Sequence, residues 1–404
     1  MSEIIVQKFG GTSVGSVDRI EEVAEIIKKA SKEKKIIVVV SAMSGETNKL
    51  ITLANHFGEN PDKREFDALV STGETISSAL LAMALHSKGI SAKSYSASQI
   101  SMKTTDSFSK AKILDVDAKK ILKVIDDDII PIITGFQGIT EGGDVTTLGR
   151  GGSDTTAVAI AAQVGAKRCD IFTDVDGVYT TDPKIVSNAK KLDSITMEEM
   201  LELAGQGAKV MQTRAVEFAN KFDVPVRVLS SFKEGSGTLI SLEDETMENA
   251  AVSGIAFQKD QVKFTLHGVG DIPGTAFKIL GPISEGDIEV DVIVQNVSVD
   301  DKTDFTFTVS SEDQEVVENI INSIKEEVNY KELMIDSNIA KVSIVGAGMR
   351  TQTGVASRAF KALSNNNVNI EIICTSEIKI TMVIDKSLVD KAVNVLHDEF
   401  ELDK

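Results

Sequence analysis

Up to about residue 240 the chain alternates between short, continuously apolar runs and amphipathic stretches. Ile4–Phe9 and Lys35–Val40 are almost wholly apolar and rich in β-branched residues, the signature of strands buried on both faces. Between them Val17, Ile20, Val23, Ala24 and Ile27 recur at helical spacing. The same reading predicts a long helix over 66–86, helices over 155–164 and 208–222, and buried strands over 129–134, 169–173 and 226–229. Continuous strands alternating with amphipathic helices predict an α/β domain of three layers, helices on both faces of a mostly parallel sheet.

A charged connector at 241–249 (SLEDETMEN) ends that texture. Beyond it the strands alternate apolar and polar positions, as at 262–266 and 305–309, the pattern of half-buried sheet. A weak internal repeat is present. Residues 262–270 (VKFTLHGVG) resemble 340–348 (AKVSIVGAG), and the segments starting at 274 and 288 align with those starting at 354 and 368, a common offset of 80 residues. Each copy reads strand, Gly-rich turn, helix, strand, strand, which predicts two small ferredoxin-like βαββαβ units. The expected boundaries are an α/β domain over 1–245 and two smaller domains over 250–335 and 336–404, the last interleaved with strands from about 250–260.

Composition adds exclusions. A chain of 404 residues suits two or three domains, and 42% apolar with 26% charged residues is ordinary for a globular protein. The net charge of −18 argues against nucleic acid or an anionic membrane as partner. It leaves room for a phosphorylated substrate, because a local cluster of Lys, Arg and Mg²⁺ binds phosphate inside an acidic protein. The two cysteines, Cys169 and Cys374, lie in apolar, strand-like runs and are expected to be buried reduced thiols. With four histidines they make a structural zinc site improbable. The N-terminus has no basic start followed by an apolar core, and apolar runs such as 36–40 are too short to span a bilayer. A cytoplasmic location is expected.

In open α/β sheets ligands bind beyond the carboxyl ends of the strands. Four predicted strand ends run into small, hydroxyl or charged residues: 8–13 (KFGGTS), 41–48 (SAMSGETN), 134–138 (TGFQG) and 173–179 (TDVDGVY). Glycines let backbone N–H groups approach phosphate oxygens, and a helix start offers them positive potential. Lys8 beside Gly10 and Gly11 can neutralise a phosphoryl group in transfer, although Gly-Gly alone also fits a plain tight turn. This is no Walker loop, since Ser16 and not Lys follows Gly15, and no dinucleotide fingerprint, since Gly10 and Gly11 adjoin. The pairs at 268/270 and 346/348 fail that fingerprint too, at Pro273 and Thr351. A further cluster, 148–156 (LGRGGSDTT), precedes a predicted helix. Ser153 or Asp154 would serve there as a helix cap, but an arginine among glycines suits a bidentate clamp on a carboxylate. Asp154 could hold Lys8.

The segments 8–14 (KFGGTSV), 40–43 (VSAM), 72–74 (TGE), 134–138, 150–155 (RGGSDT), 173–179 and 209–215 (KVMQTRA) together resemble aspartate kinases of the amino acid kinase superfamily. The resemblance covers essentially the whole chain, and KFGGTSV followed by RGGSDT separates it from acetylglutamate, carbamate and uridylate kinases. It implies transfer of the γ-phosphoryl group of MgATP to the β-carboxylate of L-aspartate, giving 4-phospho-L-aspartate, the first step towards lysine, threonine and methionine. It implies Lys8 and Asp154 as catalytic, with Asp154 organising Lys8. Thr47, Glu74, Arg150 and Ser153 would hold aspartate, Glu74 at its ammonium and Arg150 at a carboxylate. Lys8, Gly10, Gly11, Ser41, Thr173, Asp174, Tyr179, Lys184 and Lys209 would hold ATP. Mg²⁺ would arrive with the nucleotide, with no metal ligand assigned among the side chains. An acceptor that is already a carboxylate needs no strong base, so positioning and charge neutralisation suffice. Two other readings stay open: another small-molecule kinase of the superfamily, and a catalytically silent amino acid sensor.

The repeats resemble ACT domains, which bind small amino acids at the turn between first strand and first helix. That resemblance implies effector contacts from Asp271, Gly274, Ala276 and Gln295 in the first copy. In the second it implies Val355, Ala356, Asn369, Ile370 and Ser376. The family's Ser-His-Pro-Gly turn is replaced here by Thr351-Gln352-Thr353-Gly354, which puts effector contacts from that loop in doubt. Lysine, threonine or both would be feedback inhibitors. The assembly implied is a homo-oligomer paired through the ACT domains, a dimer or tetramer, or a partnership with a shorter regulatory chain started near Met247.

Overall fold

The computed structural model describes residues 3–58, 61–208, 210–242, 250–296 and 302–404. Lys209 and Met247 lie outside the described residues. The chain forms two compact units. One comprises Met1–Tyr179, Lys191–Gly205 and Lys209–Met247, the other Thr180–Lys190, Gln206–Ala208 and Glu248–Lys404.

In the first unit the strands are β1 (Ile4–Phe9), β2 (Lys35–Val40), β3 (Ala92–Tyr95), β4 (Lys103–Thr104), β5 (Ile113–Asp115), β6 (Ile130–Thr134), β7 (Gln137–Ile139), β8 (Val145–Thr147), β9 (Arg168–Thr173), β10 (Ser194–Thr196), β11 (Val226–Ser230) and β12 (Thr238–Ser241). The helices are α1 (Val17–Ala30), α2 (Glu46–Asn55), α3 (Lys63–Val70), α4 (Thr72–Ser87), α5 (Ala118–Asp126), α6 (Gly152–Val164), α7 (Met197–Gly205) and α8 (Thr213–Lys221). Eight strands form one sheet in the order β10-β12-β11-β9-β1-β2-β6-β3, and β4, β5, β7 and β8 form a small separate one. Pairing in the large sheet is parallel except between β11 and β12, the mostly parallel α/β sheet that the alternating pattern predicts.

Strand β1 lies between β2 and β9. The chain winds outward from it in both directions, so the crevice beyond its carboxyl end is the switch point where such folds bind ligands. The floor of that crevice is rigid. Phe9 and Phe172 stack with centroids 4.7 Å apart, and Phe9 joins Ile20, Val23, Ile27, Leu81 and Leu85 in a fully buried core under α1 and α4. Removing a buried aromatic ring of this kind typically costs about 3–5 kcal/mol. On the other side, α6 is apolar nearly all round, with Ala157, Val158, Ile160 and Ala161 inaccessible, as expected of a helix enclosed by neighbours.

The single helix expected over 66–86 is two. Ser71 interrupts it, and hydroxyls there take up local carbonyls, Ser71 Oγ donating to Ala68 O at 3.1 Å and Thr72 Oγ1 to Leu69 O at 2.7 Å. The stretch Lys63–Ser87 has the length and hydropathy of a bilayer span, but half of its apolar window is buried inside the protein, as in a core helix.

In the second unit β13 (Gly254–Gly270), α9 (Thr275–Glu285), β14 (Val290–Gln295), β15 (Lys302–Ser310), α10 (Gln314–Ser323), α11 (Lys325–Val328), β16 (Glu332–Val345), α12 (Val355–Asn365), β17 (Ile372–Thr375), β18 (Lys379–Asp385) and α13 (Val389–Glu399) follow in order. Six strands make one sheet, β14-β15-β13-β16-β18-β17. The two long strands serve both repeats. Gly254–Gln258 of β13 pair with Lys341–Val345 of β16, and His267 at the far end of β13 pairs with Glu332. Two apolar cores result, one around Phe264, Phe305 and Phe307, the other around Val342, Ile344, Leu363 and Leu396. Of the thiols expected to be buried, Cys169 is, but Cys374 is exposed, because β17 is an edge strand with solvent beside it.

Candidate active site

The crevice at the carboxyl end of β1 holds an open cavity of about 290 Å³ in the first unit. Its walls come from five places: Lys8 and Gly11 at the end of β1, Ser41–Thr47 after β2, Glu74 in the first turn of α4, Phe136 between β6 and β7, and Gly149–Asp154 at the start of α6. Each wall follows from local sequence. Ser41 leaves β2 with its N–H donating to Phe9 O at 3.0 Å. Gly45, at φ 82°, turns the chain into α2 and sets half-buried Thr47 in its first turn. The cap of α6 is Gly151, at φ 71° with no side-chain hydrogen bond, and neither Ser153 nor Asp154 takes that place. The tight glycine turn brings both side chains inside the helix's first turn, where an acidic group is favoured by the helix dipole.

The centre of the site is an ion pair. Lys8 Nζ stands 2.6 Å from Asp154 Oδ1, with the two side chains only 10% and 11% exposed. A buried pair holds geometry strongly, since removing one partner leaves an uncompensated charge. A Cβ on Gly10 would sit 3.5 Å from both Lys8 Nζ and Phe172 O, so glycine keeps the approach to the ammonium open. Gly11 packs on the end of β2, where its Cβ would lie 3.0 Å from Ala42 O.

Glu74 is 3% exposed. Its Oε1 accepts a hydrogen bond from Ala42 N at 3.1 Å, while Oε2 is buried with no partner among the described residues. Burial pushes its carboxyl up to about 7, against the lowering pull of the Ala42 N–H. A buried acceptor without a donor is suited to a cationic group brought by a ligand. Arg150 is at the exposed rim, and Ser153 is buried within the wall.

The structure thus brings Lys8, Gly11, Ser41, Thr47, Glu74, Arg150, Ser153 and Asp154 around one space. Thr173 ends β9, the strand beside β1, and Asp174 and Tyr179 follow it; none of the three lines this space. Thr173 Oγ1 donates to Asp174 Oδ1 at 3.1 Å, and the Tyr179 hydroxyl to Asp176 Oδ1 at 2.9 Å. Lys184 belongs to the second unit, in the segment Thr180–Lys190. Lys209 lies outside the described residues. Met43, Ser44 and Phe136 also line the cavity; they stand within the segments 41–48 and 134–138 singled out from the sequence but have no role assigned there, because apolar or small residues in a loop carry no distinct chemistry.

In the second unit Gly274, at φ 96°, precedes α9. Gln295 Nε2 donates to Asp271 Oδ1 at 3.3 Å, both residues exposed, and Ala276 is half-buried beside them. The second repeat has the same frame, Gly354 at φ 86° before α12. There Val355 is buried, Ala356 and Ile370 half-buried, and Asn369 and Ser376 exposed.

The amino acid kinase family matches residues 3–230 and the ACT domain matches residues 342–400. An aspartate kinase of Stutzerimonas stutzeri is 56% identical over 402 residues, 99% of this chain and 98% of its own. The E. coli aspartokinase III structure in complex with aspartate and ADP superposes with a TM-score of 0.83 at 27% identity, over 98% of this chain and 99% of that one. The same E. coli enzyme with lysine and aspartate gives 0.78 at 28% identity, over 99% and 100%. With its kinase fold, its regulatory module and more than half its residues shared with such an enzyme along nearly the whole of both chains, this chain belongs to the aspartate kinase family.

Proposed function

We propose that the cavity beyond β1 is where the γ-phosphoryl group of MgATP passes to the β-carboxylate of L-aspartate. The observation that carries this reading is the buried Lys8–Asp154 pair at 2.6 Å, opening on a space shared with Arg150, Ser153, Thr47 and the unpartnered Glu74 carboxylate. In this reading Glu74 receives the aspartate ammonium and Arg150 a carboxylate, with Thr47 and Ser153 completing the clamp. A β-carboxylate oxygen attacks the γ-phosphorus, the bond from γ-phosphorus to the bridging oxygen breaks, and ADP departs with the electron pair. No proton leaves the acceptor, so the chain need only align the groups and stabilise charge. Lys8, held by Asp154, faces the transferring oxygens, and Gly10 and Gly11 let the phosphates approach.

Thr173, Asp174, Tyr179, Lys184 and Lys209 are assigned to the nucleotide, with Ser41 near its phosphates. Mg²⁺ is assigned to the nucleotide and would travel with its phosphates. E. coli aspartokinase III has been solved with lysine. By analogy the Asp271–Gln295 turn, with Gly274 and Ala276, is assigned to lysine or threonine as feedback inhibitor, and Val355, Ala356, Asn369, Ile370 and Ser376 to the equivalent turn of the second repeat. Assembly through the ACT domains, alone or with a shorter regulatory chain, and a cytoplasmic location complete the reading.

The test is an ATP-dependent assay with L-aspartate that traps the acyl phosphate with hydroxylamine, with lysine and threonine added singly and together. Hydroxamate suppressed by one or both amino acids is the expected result. A folded, ATP-binding protein that forms none with aspartate, but does with another acceptor of a small-molecule panel, would replace aspartate as substrate.

A further inference from the structure

Among the described residues no hydrogen bond from the Arg150 side chain fixes the turn that presents it, and that turn is held from outside by α8. Arg214, in the first turns of that helix, spends its guanidinium on two main-chain carbonyls. Nη1 donates to Leu148 O at 2.6 Å and Nη2 to Ala111 O at 2.8 Å. The preceding Gln212 lies flat on the same turn, so close that a Cβ on Gly151 would stand 1.9 Å from its Cγ. The opposite side of the turn is fixed by Asp67, fully buried. Its carboxylate accepts from the backbone N–H and hydroxyl of both Ser109 and Thr147, at 2.7 to 3.1 Å. Ala111 N in turn donates to Thr147 O at 3.0 Å. The loop at 109–111 and the turn at 147–151 are thus one tied body, and Arg214 bonds a carbonyl on each.

An arginine committed to neutral carbonyls is not there for an ion pair. Burial lowers its pKa, against an opposing pull from Glu217. Its planar fork can bridge two acceptors at fixed separation, which a lysine cannot do.

We propose that Arg214 is a positioning residue for the aspartate site, acting through the 148–151 turn to aim Arg150 at the substrate carboxylate. This rests on the reading that Arg150 binds the acceptor. Because a positioning effect must pass through Arg150, it vanishes once Arg150 is gone.

The experiment is a double-mutant cycle on the full chain with Arg214→Met, Arg150→Ala and the pair, following KM for aspartate, KM for ATP and kcat, with thermal melts as the check on folding. Arg214→Met is expected to raise KM for aspartate roughly ten- to hundredfold with KM for ATP within about twofold, the size of losing hydrogen bonds from a charged group. In the Arg150→Ala background it should raise KM for aspartate no further. Losses that multiply in the double variant, or aspartate and ATP constants that worsen together, would overturn the proposal. If Arg214→Met does not fold, Arg214→Lys, which keeps charge and stem but bonds one carbonyl at most, takes its place in the cycle with the same criteria. An Arg150→Ala variant with unchanged KM for aspartate would instead refute the assignment of Arg150 itself.

Discussion

The kinase cavity and the first ACT turn start from the same device and end differently. In both, a glycine at positive φ opens a helix, Gly151 before α6 and Gly274 before α9. In the cavity the charged pair behind the glycine is enclosed, Lys8 and Asp154 each about a tenth exposed. In the turn, Asp271 and Gln295 meet at 3.3 Å in the open. Enclosure strengthens electrostatic interactions and removes the need to reorganise solvent as charge moves. An exposed hydrogen bond between a carboxylate and a neutral amide competes with water and is weak by itself. The first arrangement is suited to holding a phosphoryl group in transfer, the second to a reversible response to a dissolved amino acid.

The contrast predicts graded consequences. The largest effect is expected from Asp154→Asn, which leaves Lys8 buried without its counter-charge. kcat should fall roughly 10²–10³-fold, and steady-state kinetics with hydroxamate detection check it. A loss below tenfold would mean the enclosed pair is not the source of transition-state stabilisation.

Glu74→Gln is next, and it separates function from stability. Because burial holds this carboxyl at about 7, the folded protein keeps a proton that the unfolded chain releases near 4.5. Stability is therefore greatest below about 4.5 and declines as pH rises to about 7, by about 3 kcal/mol for this group. Glu74→Gln should remove that decline, so that its melting temperature exceeds that of the parent at pH 8 by a few degrees and matches it near pH 4.5. The same change should raise KM for aspartate about tenfold or more. Melts at the two pH values and a KM measurement decide it, and a variant less stable at pH 8 would refute the unpaired-carboxylate picture.

The smallest effect belongs to the exposed region. Asp271→Ala or Gln295→Ala should raise the inhibitor concentration for half-effect about tenfold, within the usual range of allosteric coupling, with kcat within about twofold. Unchanged inhibition curves would remove the effector site from this turn.

Much of this was legible in the sequence, and the reasons are specific. Strands such as Ile4–Phe9 and Lys35–Val40 are buried on both faces, so their apolar residues run on consecutively instead of alternating, at Ile4–Val6 and Ile36–Val40. The glycine-framed Arg150 and the strand-end Lys8 are unusual enough in company to mark a site. Asp67 was silent because its four hydrogen bonds come from Ser109 and Thr147, far along the chain, and a lone acid in a helical pattern reads as a solvated face. Arg214 was quoted within a motif but given no role, because an arginine bonded to carbonyls leaves no partner to find in the sequence. The break at Ser71 depends on local hydroxyl bonds that periodicity does not register. The exposure of Cys374 depends on which strand lies at the sheet edge, a matter of topology and not of the apolar run around it.

The most direct test of the central claim is Lys8→Ala, assayed in parallel for aspartate-dependent hydroxamate and for binding of the inhibiting amino acid. The account predicts that turnover is lost while the melting curve and effector binding persist, since the enclosed pair performs the chemistry and the ACT turns do not depend on it. Turnover at the parent rate in a folded Lys8→Ala protein would contradict it.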